Sequence, residues 1–310
     1  MSFEPADCPV NSEEPYPRRA TGARALLLVA VIIWGLTFVI VEPIEETSWS
    51  HLKFTFLAFR FLLAALLLAP IVLCRPAPIA LLKKCILPSM CIAPFLTIFY
   101  YFQTAGLFMD GKNATTVSFA TALSVVFVPV LARLFLREET RKVHWIAWAL
   151  GSIGVGLMAV QPKFRFEWGG LVALIGSFAL AFDTVLNRLF TEERDPFAFT
   201  FTQCLATGAI LLFLAFMCEC RSGIPSIPRP VGVGILYTAC FGTVIAYAMQ
   251  LWAMKFVPAV DTSIILCLEP IVTAIASTEE WRIPKAIGCA LILCAVCAVE
   301  PSFSQFWSKH

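Results

Sequence analysis

Charged residues are scarce in this chain, and their scarcity excludes most classes of soluble protein. Only 14% of the 310 residues are Asp, Glu, Lys or Arg, whereas 59% are hydrophobic. Soluble domains average about 25% charged residues. The net charge of +2 is close to zero, so the composition predicts no nucleic-acid partner. Long apolar runs joined by short polar connections instead predict an integral protein of the lipid bilayer.

Histidine is also rare, and the cysteines form no pattern typical of a metal or redox site. The three histidines, His51, His144 and His310, are far apart in sequence. Most of the 12 cysteines lie inside apolar runs, where they are expected to pack as small hydrophobic residues. We therefore expect no cofactor and no bound metal. Numerous free thiols are typical of a reducing environment, which favours a bacterial inner membrane or an intracellular membrane over an oxidising surface.

Ten apolar segments have about the 17–25 residues that a helix needs to cross a bilayer. They are 25–44, 52–73, 86–107, 114–136, 143–160, 168–189, 197–218, 231–256, 259–277 and 283–299. Their patterns lack the alternation of strands, so we predict helices. Lys and Arg are more numerous on the loops that share a side with the N-terminus, which predicts that both termini are cytoplasmic.

The two halves of the chain resemble each other. The acid pairs at 138–139 and 279–280 precede the pattern Ile-x-x-Ala-Leu at the same spacing. Five spans per half is an odd number, so the halves would insert in opposite directions, as in many transporters. The predicted fold is an all-α integral membrane protein with ten transmembrane helices in two five-helix inverted repeats. Its parts are a disordered cytoplasmic tail (1–24), the first repeat (25–164), the second repeat (165–299) and a cytoplasmic C-terminal tail (300–310).

An acid interrupts the ninth apolar segment, where Glu269 directly precedes Pro270. A carboxylate at the bilayer centre costs about 2.5–3.5 kcal/mol, so it is expected to face the bundle interior or a wet cavity. The proline removes a backbone donor and predicts a kink beside the acid. The alternative is a helix end whose acid reaches the membrane interface.

Three further polar residues are predicted at membrane depth. Asp183 and Asn187 are four residues apart and share one helix face, and Asp183 corresponds to Thr37 when the halves are compared. We interpret Asp183 as an acid that binds a substrate ammonium group or a proton; the alternative is an interhelical hydrogen bond. Arg60 is expected to pair with a membrane acid or with backbone carbonyls as a structural clamp, or to contact a substrate carboxylate.

Two helix faces combine aromatic and amide side chains. Tyr100 and Gln103 are three residues apart, and Tyr247 and Gln250 repeat the combination. Such faces suit a cavity for a small polar solute, although they also form hydrogen bonds between helices. Trp34 could add an aromatic wall, or pack against lipid.

Four motifs resemble, in their order and spacing, the EamA family of the drug/metabolite transporter superfamily. They are WGLTFV at 34–39, FRFLLAALLL at 59–68, SVVFVPVLAR at 124–133 and LEP at 268–270. The likeness covers roughly residues 25–299. It implies a ten-helix inverted repeat and secondary transport by alternating access, with amino acids and other small metabolites as substrates and sugar conjugates in related branches.

The chain departs from the family pattern in its ninth span. Only 271–278 separate Pro270 from Glu279, which is about one helical turn less than the family has. We therefore expect this span to be tilted, kinked or to end below the interface.

These observations predict a secondary active transporter rather than an enzyme. Two acids and one arginine favour a zwitterionic or cationic substrate: an amino acid, or a nucleoside-type cation such as S-adenosylmethionine. A carrier of phosphorylated sugars or nucleotide sugars would need several cations at depth. An intramembrane lipid-modifying enzyme would need a nucleophile or metal cluster, and a structural subunit would need no cavity.

Transport is expected to be coupled to a proton, through Asp183 or Glu269, or to an antiported solute. A small-residue face around Gly156 fits a neighbouring helix or a homodimer partner.

Overall fold

The computed structural model describes residues 18–109, 114–137, 142–158, 168–219, 223, 225–277 and 283–299. Throughout these ranges the regular structure is helical. The α-helices are α1 (Arg18–Val41), α2 (Lys53–Leu73), α3 (Pro78–Leu107), α4 (Ala114–Ala122), α5 (Ser124–Phe135), α6 (Lys142–Met158), α7 (Trp168–Thr191), α8 (Pro196–Cys218), α9 (Arg229–Tyr237), α10 (Ala246–Ala253), α11 (Ala259–Leu266), α12 (Glu269–Ala276) and α13 (Ile283–Val299). A 3-10 segment (Glu42–Glu46) follows α1, and a π-helical segment (Thr238–Ile245) joins α9 to α10.

Eight segments in the described ranges are long and apolar enough to cross a membrane. They are Ala20–Glu46, Lys53–Leu73, Pro78–Leu107, Ala114–Phe135, Trp168–Thr191, Pro196–Cys218, Arg229–Ala253 and Ala259–Ala276. The predicted tenth span is a shorter apolar helix, and the predicted fifth is the 17-residue α6. The structure therefore establishes an all-α, multi-pass architecture, while the ten-helix inverted repeat stays a prediction.

Helix boundaries differ from the predicted ones in two respects. First, α1 begins at Arg18, so residues 18–24 are helical and do not belong to a disordered tail; residues 1–17 and 300–310 lie outside the described ranges. Second, the predicted fourth and ninth spans are each divided into two helices, at Leu123 and at Cys267–Leu268. The second division comes directly before Glu269 and Pro270, where the sequence predicted a kink.

The bundle is assembled from long helix pairs. Helix α3 packs along α7, α2 along α8, and α6 along α13, while α1 contacts α10, α11 and α12. Glycines allow the closest approaches: a Cβ at Gly106 would lie 2.4 Å from the carbonyl oxygen of Gly169, and one at Gly154 would lie 2.8 Å from that of Gly288. Large apolar side chains such as Leu66 and Phe216 are exposed on the outside of the bundle, as expected of a surface that faces lipid.

Candidate functional site

Nine of the ten predicted site residues line one cavity between α1, α2, α3, α7, α10, α11 and α12. They are Trp34, Thr37, Arg60, Tyr100, Gln103, Asp183, Tyr247, Gln250 and Glu269. The apolar part of the wall is formed by Phe38, Leu96, Phe99, Leu180 and Leu266. The tenth predicted residue, Asn187, is fully buried and contacts the wall through the hydroxyl of Tyr247.

A closed set of hydrogen bonds fixes Tyr247 in the wall. The side-chain amide of Asn187 donates from Nδ2 to the Tyr247 hydroxyl (2.8 Å), and Gln203 of α8 donates from Nε2 to Oδ1 of Asn187 (2.8 Å). The Tyr247 hydroxyl in turn lies 2.6 Å from Oε1 of Gln203 and 3.2 Å from Oδ1 of Asp183. Because all four side chains are buried, this network joins α7, α8 and α10 in a single arrangement.

Asp183 lines the cavity and can accept further hydrogen bonds there. The residue is 1% exposed, and its Oδ1 contacts the hydroxyl of Tyr247. Within the described ranges no group donates to Oδ2. A buried carboxylate oxygen without a donor is costly, so an added donor or cation in the cavity would stabilise this position.

Arg60 presents the complementary group from α2. Its Nε donates to Oγ1 of Thr243 (3.1 Å), and its guanidinium lies 4.2 Å from the ring centroid of Tyr100. The residue is 2% exposed, and Nη2 has no hydrogen-bond partner in the described part of the chain. Within the described ranges a hydroxyl and an aromatic face, rather than the predicted membrane acid, orient the guanidinium, and Nη2 is available to an acceptor.

The π-helical segment between α9 and α10 supplies contacts to both Arg60 and Trp34. Hydrogen bonds in a π-helix run to the fifth residue and displace backbone carbonyls from the usual ladder. The carbonyl of Gly242 accepts the indole Nε1–H of Trp34 at 2.7 Å, and the neighbouring Thr243 accepts from Arg60. A Cβ at Gly242 would lie 3.5 Å from Nη2 of Arg60, so the missing side chain leaves this edge of the cavity open.

Glu269 lies at the start of α12, where the division of the ninth span directs it to the cavity. It is half-buried, and its position in the first turn is favourable for an acid. Helix α12 crosses α1 closely, with Thr273 donating from Oγ1 to the carbonyl of Gly35 at 3.1 Å. Trp34 and Thr37 of α1 line the same cavity as Glu269.

The cavity is narrow in this conformation. Its volume open to a water-sized sphere is about 40 Å³, and one water needs roughly 10–15 Å³ on this measure. The space therefore fits a few waters, and a larger solute requires helices or aromatic side chains to move apart.

Sequence reasoning missed three polar groups of the site. Gln203 and Thr243 were treated as ordinary span residues, and the Gly242 carbonyl was not considered. An amide in the middle of an apolar span was a usable indication, because such groups are costly in lipid unless paired. For Thr243 and Gly242, no local sequence pattern predicts the π-helical turn. The described residues contain no group of three or more His, Cys, Asp or Glu side chains placed to bind a metal.

Comparisons with known proteins agree with this architecture. The model of the EamA-like transporter family matches residues 22–160 and again residues 167–300. The chain is 27% identical over 282 residues to the uncharacterized inner membrane transporter YedA of Escherichia coli K12, covering 86% of this chain and 88% of YedA. An uncharacterized transporter of Archaeoglobus fulgidus is 27% identical over 283 residues, covering 88% and 84%.

A solved crystal structure shows the same fold. It superposes with a TM-score of 0.67 at 16% identity, covering 92% of this chain and 99% of that one. The two family matches together span nearly the whole chain. This multi-pass membrane protein therefore belongs to the EamA-like transporter family.

Proposed function

We propose that the protein is a secondary transporter that binds a small zwitterionic metabolite, with an amino acid as the first candidate, in the cavity between Arg60 and Asp183. The observation that carries the proposal is a pair of opposite charges, each at most 2% exposed, with Oδ2 of Asp183 and Nη2 of Arg60 both without partners in the described ranges. A solute with an ammonium and a carboxylate group satisfies both atoms. Alternating access then exposes the site to each side of the membrane in turn.

The other lining residues favour this class of substrate. Aromatic rings of Trp34, Phe99 and Tyr100 form much of the wall, which suits the apolar part of a solute and the face of a cation. Glu269 adds a second acid, so a purely cationic metabolite such as S-adenosylmethionine is the next candidate.

Phosphorylated solutes fit less well. Arg60 is the one Lys or Arg among the residues that line the cavity, whereas phosphate recognition commonly uses several cations or a cluster of donors. A lipid-modifying reaction would need a nucleophile with its base or a metal, and the residues lining the cavity form no such set.

Thermal unfolding of the purified protein with a panel of solutes tests the proposal. The panel contains amino acids, S-adenosylmethionine, polyamines, sugar phosphates and nucleotide sugars. A ligand at 100 times its Kd stabilises the folded state by about 2.7 kcal/mol. We expect an amino acid to raise the unfolding temperature of the wild-type protein, with the shift lost in both Asp183→Asn and Arg60→Gln. Counterflow of the identified solute into proteoliposomes then measures transport, which Asp183→Asn abolishes while expression stays intact.

Matched controls separate the possible outcomes. Glu192→Gln removes an acid whose side chain is 54% exposed in a surface ion pair with Arg188, so it should leave the shift unchanged. A shift lost only in Asp183→Asn identifies a cationic substrate. A shift given only by phosphorylated compounds and lost only in Arg60→Gln contradicts the proposal, as does full transport by Asp183→Asn.

A further inference from the structure

A buried ion pair joins α1 to α11 at one end of the bundle. Arg24 donates from Nη2 to Oδ2 of Asp261 at 2.7 Å, and the two side chains are 6% and 2% exposed. On the other oxygen of the same carboxylate, Oδ1, Nε2 of His144 lies at 3.3 Å. These three residues lie near the beginnings of α1, α11 and α6, so the cluster marks the end of the bundle at which all three helices start.

The pair lies between this end of the bundle and the cavity. Trp34, on the cavity wall, follows Arg24 by ten residues of α1, which is roughly 15 Å along a helix. Leu266, also on the wall, follows Asp261 by five residues of α11. Helices α1 and α11 thus form both the wall of the cavity and, nearer their N-terminal ends, the ion pair.

Opening a route between these two helices requires the pair to separate. Attraction between buried opposite charges is strong at short distance, so moving either charge away from the other is costly. At the opposite end, α4 and α12 are joined by a hydrogen bond between the hydroxyls of Thr115 and Ser277 at 3.2 Å. A neutral hydroxyl pair is a weaker link than a buried ion pair.

We propose that Arg24 and Asp261 form the gate that closes the cavity at the end where α1 and α11 begin, with His144 positioning the Asp261 carboxylate. The charge bias of the loops predicts that this end is cytoplasmic. The gate rests on the proposal that the protein is an alternating-access transporter. Its closed form is the one present in this structure, and separation of the pair gives the form open to that side.

Distances between spin labels test the gate without a substrate. We would label Gly22→Cys on α1, where a Cβ meets nothing within 4 Å, and Lys255→Cys in the turn before α11, with the other cysteines replaced by serine. The labelled protein without a change at Arg24 or Asp261 should give one predominant short distance between the two labels. Arg24→Gln should increase the population at longer distances at least threefold, and Asp261→Asn should do the same. Arg24→Lys, which keeps the charge, should resemble the unchanged protein.

Charge reversal distinguishes a gate from a general loss of stability. The double variant Arg24→Asp with Asp261→Arg should restore the short distance that either single change removes. Glu192→Gln, which removes the 54% exposed partner of the ion pair with Arg188, should leave the distances unchanged. Distances unaffected by Arg24→Gln and Asp261→Asn overturn the gate, and so does a double variant that stays at the longer distance.

The experiments can contradict the proposed gate without contradicting the proposed substrate site, and the reverse. Since the distances are measured without solute, a panel that gives no thermal shift ends the zwitterion proposal and leaves the gate result intact. Unchanged distances together with an amino-acid shift end the gate and leave the substrate site intact.

Discussion

The hydroxyl of Tyr247 has one proton and two acceptors within reach, Oε1 of Gln203 at 2.6 Å and Oδ1 of Asp183 at 3.2 Å. It also accepts a hydrogen bond from Asn187. A phenol can donate to one of these acceptors at a time. The shorter distance favours Gln203, which leaves Asp183 to find its partners in the cavity.

Removing the Tyr247 hydroxyl should therefore lower the free energy of unfolding more than removing a hydroxyl that makes a single hydrogen bond. Tyr247→Phe leaves Nδ2 of Asn187 and Oε1 of Gln203 without their partner, and we expect the free energy of unfolding to fall by about 1–3 kcal/mol. Tyr237→Phe is the control, since its hydroxyl donates to the carbonyl of Ile33, which also accepts from Thr37. Denaturant unfolding of both variants measures the difference. Equal losses would show that the network contributes no more than one hydrogen bond.

The residues of the cavity were largely predictable, and their partners were not. Asp183, Arg60 and Glu269 stand out in apolar sequence because ionisable groups are costly in lipid. The contacts of Arg24 and His144 with Asp261 were not predicted. Arg24 falls in the predicted tail and His144 at the start of the predicted fifth span. Pairing between residues so distant in sequence depends on the tertiary arrangement, which no local pattern encodes.

At the scale of elements, two interruptions position the site: the π-helical segment and the division at Cys267–Leu268. The second was predictable from Glu269 and Pro270, since proline displaces a backbone hydrogen bond. The π-helical segment was not, because its displaced carbonyl is compensated by the indole of Trp34 from another helix. Hydropathy predicts that a helix is present, whereas an interruption such as the π-helical segment depends on tertiary contacts.

The crossing of α1 and α12 should be sensitive to a single methyl group. A Cβ at Gly35 would lie 2.6 Å from Cβ of Val272 and 3.0 Å from the carbonyl oxygen of Glu269. Gly35→Ala forces the helices apart, and we expect a loss of about 1–3 kcal/mol in the free energy of unfolding. Thermal unfolding in detergent measures it.

Gly156→Ala provides the matched control for this crossing. A Cβ at Gly156 would meet nothing within 4 Å, so its effect should stay within about 0.5 kcal/mol. If both alanine variants unfold at the wild-type temperature, the close approach of α1 to α12 does not limit stability.

At the scale of the whole molecule, two native thiols report orientation. Cys74 follows α2 and Cys218 ends α8, and both are exposed. The loop charges predict that Cys74 is cytoplasmic and Cys218 external. In variants that keep only one of these cysteines, a membrane-impermeant maleimide added to intact cells should label Cys218 and not Cys74, and inverted vesicles should give the opposite. Labelling of Cys74 in intact cells would reverse the orientation.

The short ninth span affects the lipid around the protein. Ala259–Ala276 has 18 residues, which corresponds to roughly 27 Å of continuous helix, and the division before Glu269 shortens it further. A typical hydrocarbon core is about 30 Å thick. Ile275 near the end of α12 is 66% exposed, so we expect acyl chains to contact this edge. A span shorter than the hydrocarbon core is accommodated at a modest cost, for example by thinning of the bilayer, so we expect acyl-chain length to act on α12 without any solute.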